Sequence, residues 1–528
     1  MATPVTPIAS TTASQFADSP NVDYMLPELA AMLPKYELIR DCLAGQEAVK
    51  KRRTVYLPKP NPDDRSPAND DRYDSYIARA VFYGVTANTT KGLVGQVFAS
   101  DPVSEFPKEM DVMWYDVNGA NVSMEQQAKR ALTNVLAFGR CGLLTDFPAA
   151  KEGGGAWTRE EILEGTARPV IQFYHAEDII NWRHRIIGAK LVLSMVVLNE
   201  SYTIRDDGFE IKKGTEKRVL RLDDDGLYEI ERWRRRDDAE DGEWYKVEEV
   251  IRPVDGNGNR LTYIPFTFVG SENNDASVDK PPMYDLACLN IAHYRNSADY
   301  EDSVYMVGQP TPYFAGLTKT WVDEVLKGEI QLGSRAAVPL PEGASAGLIQ
   351  ASENTMVKEA MDKKEQQMIA LGAQLVEEKR VARTLGEAKM ETAIVASVLT
   401  SCARNVSQAM LQCIKWACDF YGYDDATKES CVYQLSTDFA IQKMSSDERR
   451  QLLAEWQAGL VSFSEARSQL RQNGVATLDD EEAKDEIEEE RKNDMDLNAS
   501  LGFNLDGAIP KKGEDDEDGG DDENKGGK

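Results

Sequence analysis

The sequence predicts an α+β fold, an antiparallel β region set inside a mostly helical chain, on three observations. Between Pro169 and Phe268 apolar residues recur at every second position, in runs rich in Val, Ile, Tyr, Trp and Phe. On either side of that stretch the period is helical. Two long helical patterns, 281–306 and 353–378, flank a 46-residue insert, 307–352.

Residues 1–24 are rich in Ser, Thr and Pro and are expected to be flexible. A helix is expected from Pro27 to Lys51, then a loop, LPKPNPDDRSPANDD, whose prolines and Asx residues oppose regular structure. The pattern from Arg72 to Ala99 is helical, with Gly84, Gly92 and Gly95 permitting close backbone approach. Another helix, Ser123 to Phe138, leads through GRCG into a short strand, LLTDF. The runs VIQFY, AKLVLSMVVL, KRVLRL, LYEIERWRR, EWYKVEEVI and YIPFTFV follow, separated by RDDG, LDDDG, AEDG and DGNG. Such turns supply the backbone angles that hairpins need, so 169–268 reads as an antiparallel meander.

The helix over 281–306 carries two stripes. Leu286, Leu289, His293, Ser297, Tyr300 and Val304 trace one, and Ala287, Ile291, Tyr294, Ala298 and Tyr305 the other. Neither reads as a plain solvated face. The insert holds a short helix around Trp321 to Leu326. In the second long helix Val357, Met361, Met368, Leu371 and Leu375 form a narrow apolar stripe, interrupted by Lys364. At 1.5 Å per residue each long helix reaches about 39 Å. Two legs of a stalk carrying a compact tip, or an ordinary helical hairpin within a globular domain, fit this pattern equally.

The joint EEKRVARTLGEA contains Thr384 and Glu387 at capping-box spacing, which predicts a helix from 384 to 422. Ile394, Val398, Leu399, Cys402, Val406, Met410, Cys413, Ile414 and Ala417 make it apolar around so much of its girth that it must be buried. A strand, CVYQLSTDF, follows. Two further capping boxes, Ser445 with Glu448 and Ser462 with Glu465, open short helices that Gly459 and Asn473–Gly474 help to end.

At 528 residues the chain has room for two to four domains. No apolar run reaches the roughly 18 residues of a membrane span, and the first residues lack the basic and apolar blocks of a signal peptide. The chain is therefore expected to be soluble and made in a cytoplasm. Its formal charge of −29 argues against a tight grip on nucleic acid, which relies on Lys and Arg displacing counterions. About twenty Asp and Glu against seven Lys and Arg lie after Leu478, in a tail, 479–528, with too little apolar surface to order itself. That tail is read as solubilising, or as a docking peptide for a basic partner.

The seven cysteines, Cys42, Cys141, Cys288, Cys402, Cys413, Cys418 and Cys431, show no Cys-x-x-Cys spacing and are expected to be reduced and mostly buried. His175, His184 and His293 fall in no metal motif and are expected to make structural hydrogen bonds. DGNGNR resembles a calcium loop but has Arg260 at the sixth position and Phe266 at the twelfth, so it is a turn. No G-x-x-x-x-G-K-[ST] phosphate-binding loop is present. No catalytic residue, metal site or cofactor is nominated, and the chain is not expected to be an enzyme. One local departure from acidity remains. Lys379, Arg380 and Arg383 cluster in the joint, as charges opposing a helix dipole or as a loop that touches a polyanion.

The order of parts over residues 30–478 resembles the portal, or head-to-tail connector, proteins of tailed double-stranded DNA bacteriophages. The likeness is carried by YIARAVFYGVTANTTKGLVGQVFASDP, FGRCGLLTDFP, PPMYDLACLNIAHYRNSADYEDSVYMVGQPTPYFAG and LGEAKMETAIVASVLTSCARNVSQAM. The resemblance implies a ring, typically dodecameric, at one capsid vertex of the virion, through which DNA is packaged and later ejected. The wing, mixed helical and antiparallel β, would be 25–280 with the long buried helix 384–422. The two-helix stem would be 281–306 and 353–378, the small α/β clip 307–352, and the helical crown 423–478. Lys379, Arg380 and Arg383 would be DNA contacts in a tunnel loop over 379–383. Leu286, Leu289, Ile291, Tyr294, Tyr300, Val357, Met361, Met368, Leu371 and Leu375 would line the contact between subunits. In such a ring both stripes of the first stem helix can be buried by neighbours, so a charge at Leu289 or Ile291 should weaken assembly more than folding. Trp321, Val322, Val325 and Leu326 would dock partners at the clip. The implied partners are further copies of the chain, the major capsid protein, the large terminase subunit, a tail adaptor and DNA bound without sequence preference, with no membrane. An acidic cytoplasmic scaffold acting through the 479–528 tail is the alternative, and a hydrolase with an unfamiliar site a weaker third.

Overall fold

Residues 21–147, 157, 161, 167–236, 242–308, 311–325, 338–349, 355–376, 397–437, 450–452, 455, 462 and 466 are described by the structure, a computed structural model. The chain divides into two compact units, 1–439 and 440–528. In the second, the Ala466 N–H donates to the Ser462 carbonyl at 2.9 Å, one turn of helix. Glu465, the capping pair Ser445 and Glu448, and the acidic tail lie outside the described residues, as do Thr384 and Glu387.

The first unit begins with helices that the sequence reads as longer than they are. The helix expected over 27–51 is three: α1 (Pro27–Ala30), α2 (Leu33–Ala44) and α3 (Gln46–Lys51). Gly45, at φ +93°, separates the last two with a backbone angle only glycine takes readily. Likewise 72–99 is two helices, α4 (Pro67–Arg79) and α5 (Val85–Val97). The start of α4 lies inside the proline-rich stretch expected to be irregular. Ser66 caps it, accepting from the Asn69 N–H at 3.3 Å, and Pro67 occupies a first-turn position where no N–H is needed. After β1 (Val103–Glu105) and the short α6 (Val112–Tyr115), α7 (Met124–Phe138) runs as expected. Ser123 and Gln126 form a capping box at its start, and Gly139, at φ +80°, ends it.

The β region is two sheets instead of one meander. β2 (Arg140–Asp146), the GRCGLLTD run, is the centre of a three-stranded antiparallel sheet between β3 (Val170–His175) and β9 (Phe266–Gly270). The meander comprises only β4 (Ile179–Ile187), β5 (Lys190–Asp206), β6 (Ile211–Leu222), β7 (Tyr228–Arg235) and β8 (Trp244–Lys246). β4, whose WRHR centre hides its strand character, was not among the runs expected, and β8 keeps only three residues of EWYKVEEVI. Leu144, Trp182, Leu198, Leu220, Ile230 and Phe268 close a core on the inner side of these strands. Arg218, nine-tenths buried, donates to Asp146 of one sheet at 2.7 Å and lies 3.5 Å from Glu200 of the other. Burial opposes its charge, but Asp146, Tyr174 and Glu200 outweigh it and hold its pKa well above the usual arginine value.

The chain then forms α8 (Tyr284–Gly308), β10 (Thr311–Ala315), α9 (Lys319–Glu324), β11 (Ser345–Ile349) and α10 (Thr355–Gln374). α11 runs from Val398 to Tyr421, and 384–396 of the helix expected over 384–422 lie outside the described residues. Ser397 precedes it in an extended conformation and caps it, accepting from the Thr400 N–H at 3.1 Å. From Leu399 to Phe420 it is buried on most of its girth, as its composition requires. After α12 (Asp425–Ser430), β12 (Val432–Gln434) pairs with β1, a strand that no period announces. All seven cysteines are free thiols and only Cys288 is not fully buried.

The DGNG turn is held against the end of α11. Asp255 accepts from the N–H groups of Asn257 at 2.9 Å and Asn259 at 2.8 Å, and the Gly256 N–H donates to the Asp419 carbonyl at 3.0 Å. A Cβ on Gly256 would lie 2.3 Å from the Phe420 carbonyl oxygen and 2.7 Å from the Gly422 nitrogen. Since backbone on both sides must shift, Gly256→Ala should cost about 2 kcal/mol or more, read as a lowered denaturation midpoint. An unchanged midpoint would show that the turn does not anchor α11.

Candidate assembly site

The root of α8 is buried by its own chain on both sides. Ala287, Ile291, Tyr294 and Ala298 join the core that includes residues of α2, α4 and α5. The polar groups among them are matched. Asn290, wholly buried, accepts from the Thr86 N–H at 3.2 Å and the Thr86 hydroxyl at 3.0 Å, and donates to the Tyr83 carbonyl at 2.7 Å. Ser297 Oγ accepts from the Val81 N–H at 3.0 Å. Tyr76 donates to Asp299, and Arg79 pairs with Asp302, each at 2.6 Å.

The other side of α8 is covered by α10, whose Met368 is buried and whose Leu371 and Leu375 pack against the same core. Here His293 Nε2 stands 3.3 Å from Glu365 Oε1, a loose charge contact without hydrogen-bond geometry. Burial holds the His293 pKa below its ordinary value, and Glu365 only partly offsets this. The structural hydrogen bond expected of each histidine is made by His175, whose Nδ1 lies 2.9 Å from Asn134 Oδ1, but not by His293. At the root of α8, therefore, both stripes are buried without a neighbouring subunit. Leu286, Ile291, Tyr294 and Met368 are buried within one chain, and Leu289, Leu371 and Leu375 pack against that interior.

Past Ala298 burial falls away, although Arg79 of α4 still pairs with Asp302 and lies over the Tyr305 ring at 4.3 Å. Tyr300 is half-buried, and Val304, Tyr305 and Met306 are 49%, 44% and 51% exposed. On α10 Val357 and Met361 are half-buried, while Met356 and Ile369 are largely exposed. At 1.5 Å per residue the described helices span about 37 and 30 Å, and 353, 354, 377 and 378 of the second expected helix lie outside the described residues.

Beyond the pair, β10 and β11 form a two-stranded antiparallel ribbon from Thr311↔Ile349 to Ala315↔Ser345. Tyr313 lies across from Gly347, where a Cβ would meet its ring at 2.8 Å, so glycine lets the ring lie flat on the neighbouring strand. Thr318 caps α9, and Trp321 donates from Nε1 to the Pro339 carbonyl at 3.3 Å. No described residue of 312–325 or 338–349 is buried, and Val325, Leu348 and Ile349 are exposed. Trp321 and Val322 are half-buried, and Leu326 lies outside the described residues. A two-stranded ribbon without a core is marginal in water.

The joint is closed at its base. The Leu399 N–H at the start of α11 donates to the Leu375 carbonyl at the end of α10 at 3.1 Å, so the chain leaves and returns at one point. Lys379, Arg380 and Arg383 lie between, outside the described residues. Among the described residues no group of three or more His, Cys, Asp or Glu is placed to hold a metal ion, and no described helix is long and apolar enough to cross a membrane.

Residues 282–421, from the start of α8 to the end of α11, match the family model described as a domain of unknown function, DUF4055. No curated protein matches the chain. Among solved structures it is similar to a chain of the virion of a native gene transfer agent particle, at 12% identity and TM-score 0.37, over 75% of this chain and 91% of that one. It is also similar to a chain from the neck of an empty gene transfer agent particle computed with C6 symmetry, at 13% identity and TM-score 0.37, over 76% and 93%. A third, from the neck of the native particle computed with C12 symmetry, stands at 12% identity and TM-score 0.37, over 73% and 89%. At that superposition score the likeness decides nothing about function.

The burial gradient along α8 separates folding from surface. Ile291→Asp should destabilise the single chain by about 3 kcal/mol or more, since it buries a charge, whereas Val304→Asp should change it by less than about 0.5 kcal/mol. Denaturant titration of both variants checks this, and equal losses would refute the gradient.

Proposed function

We propose that this chain is the subunit of a portal-type ring at one vertex of a phage-like capsid, a conduit for double-stranded DNA with no chemistry of its own. One observation carries the reading. A helix pair rooted in its own core exposes apolar side chains along its outer half and ends in a ribbon that has no core, which is the surface a repeated neighbour would cover. The order of parts agrees with it: body, helix, tip, helix, a loop pinned at its base by Leu375 and Leu399, and a buried helix returning to the body. In this reading 25–280 with 384–422 is the wing, 281–306 and 353–378 the stem, 307–352 the clip and 423–478 the crown. The subunit contact moves outward from the stripes first assigned, to Tyr300, Val304, Tyr305, Met306, Met356, Val357, Met361 and Ile369. The clip, through Trp321, Val322, Val325 and Leu326, would dock terminase and then a tail adaptor.

The charge suits a conduit. With roughly −13 in the tail, about −16 of the −29 remains on the rest of the chain, which repels a sliding polyanion weakly over the ~8 Å that the field reaches at physiological salt. Lys379, Arg380 and Arg383 would be sparse contacts repeated around the channel.

Negative-stain images of the purified chain should show rings with a central hole, and these should persist when 479–528 is deleted. A monomer under all assembly conditions would overturn the reading, and loss of activity with the tail alone would favour the acidic scaffold. Replacing Lys379, Arg380 and Arg383 together with Gln should alter DNA packaging or retention while rings still form. Unchanged packaging would remove these residues from the channel.

A further inference from the structure

The β5–β6 hairpin outruns its sheet. β4 pairs with β5 only as far as Leu198, and β7 pairs with β6 only from Glu216, yet the β5–β6 ladder continues to Asp206↔Ile211. Residues 201–206 and 211–215 therefore form a two-stranded arm with no strand on either side, about 20 Å long at 3.4 Å per residue. None of its residues is buried. At its tip, where Asp206 and Asp207 accept from the N–H groups of the turn itself, Phe209 is 101% exposed and Ile211 is 53% exposed.

Two features of the arm are unfavourable in an isolated chain. A bare two-stranded ribbon tipped by an exposed phenyl ring is marginal in water. In addition, Arg205 and Lys212 are direct cross-strand partners, and like charges in that position repel. Among the described residues neither is paired with a carboxylate. Both defects would be relieved by one surface, apolar at its floor and acidic at its rim.

The same chain carries such a surface. A groove of about 510 Å³ is floored by Trp182, Leu193 and Phe268 and edged by Leu191, Glu28 and Asp275. Leu191 is 69% exposed, so the apolar lining opens to the outside. Glu28 makes no ion pair among the described residues, although its charge acts on Arg140 behind Trp182 and Phe268, and Asp275 accepts from the Ser277 N–H at 2.7 Å and acts on His184 of the same groove. The groove thus offers apolar surface for Phe209 and two carboxylates for Arg205 and Lys212, which share one face of the ladder.

We propose that the arm of one copy docks in this groove of the next, Phe209 entering between Trp182, Leu191 and Leu193 while Arg205 and Lys212 face Glu28 and Asp275. Donor and acceptor are different patches of one chain, so the contact is head-to-tail, and repeated about an axis it closes a ring. This rests on the ring reading and names a contact within it, far in sequence from the α8–α10 surface.

Intermolecular disulfide trapping tests it on the full-length protein. Phe209→Cys combined with Leu191→Cys, treated with the mild thiol oxidant diamide, should give a ladder of covalent multimers beyond the dimer. Wild type and each single variant should give none. Dimers from Phe209→Cys alone would overturn the proposal, because the arm would then meet another arm. Rings in micrographs without a ladder would overturn the docking and leave the ring standing, whereas neither rings nor ladder would overturn both. In a second measurement, Arg205→Glu with Lys212→Glu should raise the protein concentration needed for assembly about tenfold, and Glu28→Lys with Asp275→Lys in the same chain should restore it. No rise would remove the charges from the contact.

Discussion

A buried polar group must find its partners inside the protein or cost one to three kcal/mol, and the root of α8 is organised around that requirement. Asn290 has no access to water and spends its side chain on Thr86 and Tyr83, while Ser297 takes the N–H of Val81. These bonds hold 80–84 extended between two helices, which breaks what would otherwise be one helix, and they fix α4 and α5 on one flank of α8. α10 then has a single flank left to cover. Past Ala298 no residue of α8 is fully buried and Val304, Tyr305 and Met306 are exposed, and the assembly reading depends on this boundary.

The β region meets a similar demand through charge. Arg218 sits where the two sheets approach, and replacing its water shell takes Asp146 from one sheet and Glu200 from the other. A buried ion pair of this kind adds little net stability, but removing one member leaves an unpaired charge in the interior. Its effect here is to couple the sheets, so that the arm of β5–β6 starts from a braced base.

Acidity and assembly are compatible because they act in different places. Exposed apolar residues on the far ends of α8 and α10, the ribbon and the arm tip offer contact area to a neighbour. The formal charge is concentrated in the tail and spread thinly elsewhere, where it limits attraction to DNA. In the proposed ring, such a chain would meet copies of itself through apolar contact and let a polyanion pass.

What was legible in the sequence was whatever a short window of residues controls by itself. Ser123 with Gln126 starts α7, Asx-Gly turns end strands, and the girth of α11 announces burial, since capping, backbone angle and composition are local. The two long helices and their small insert could be read for the same reason. What only the tertiary structure decided was partnership. β3 and β9 left the meander to pair with β2, β12 reached back to β1, and both stripes of α8 were buried at the root by one chain. Alternation states that a strand has two faces, and a stripe states that a helix has a side to bury, but neither names its neighbour. The neighbour is chosen by hydrogen bonds and buried area between residues that lie from tens to hundreds of positions apart.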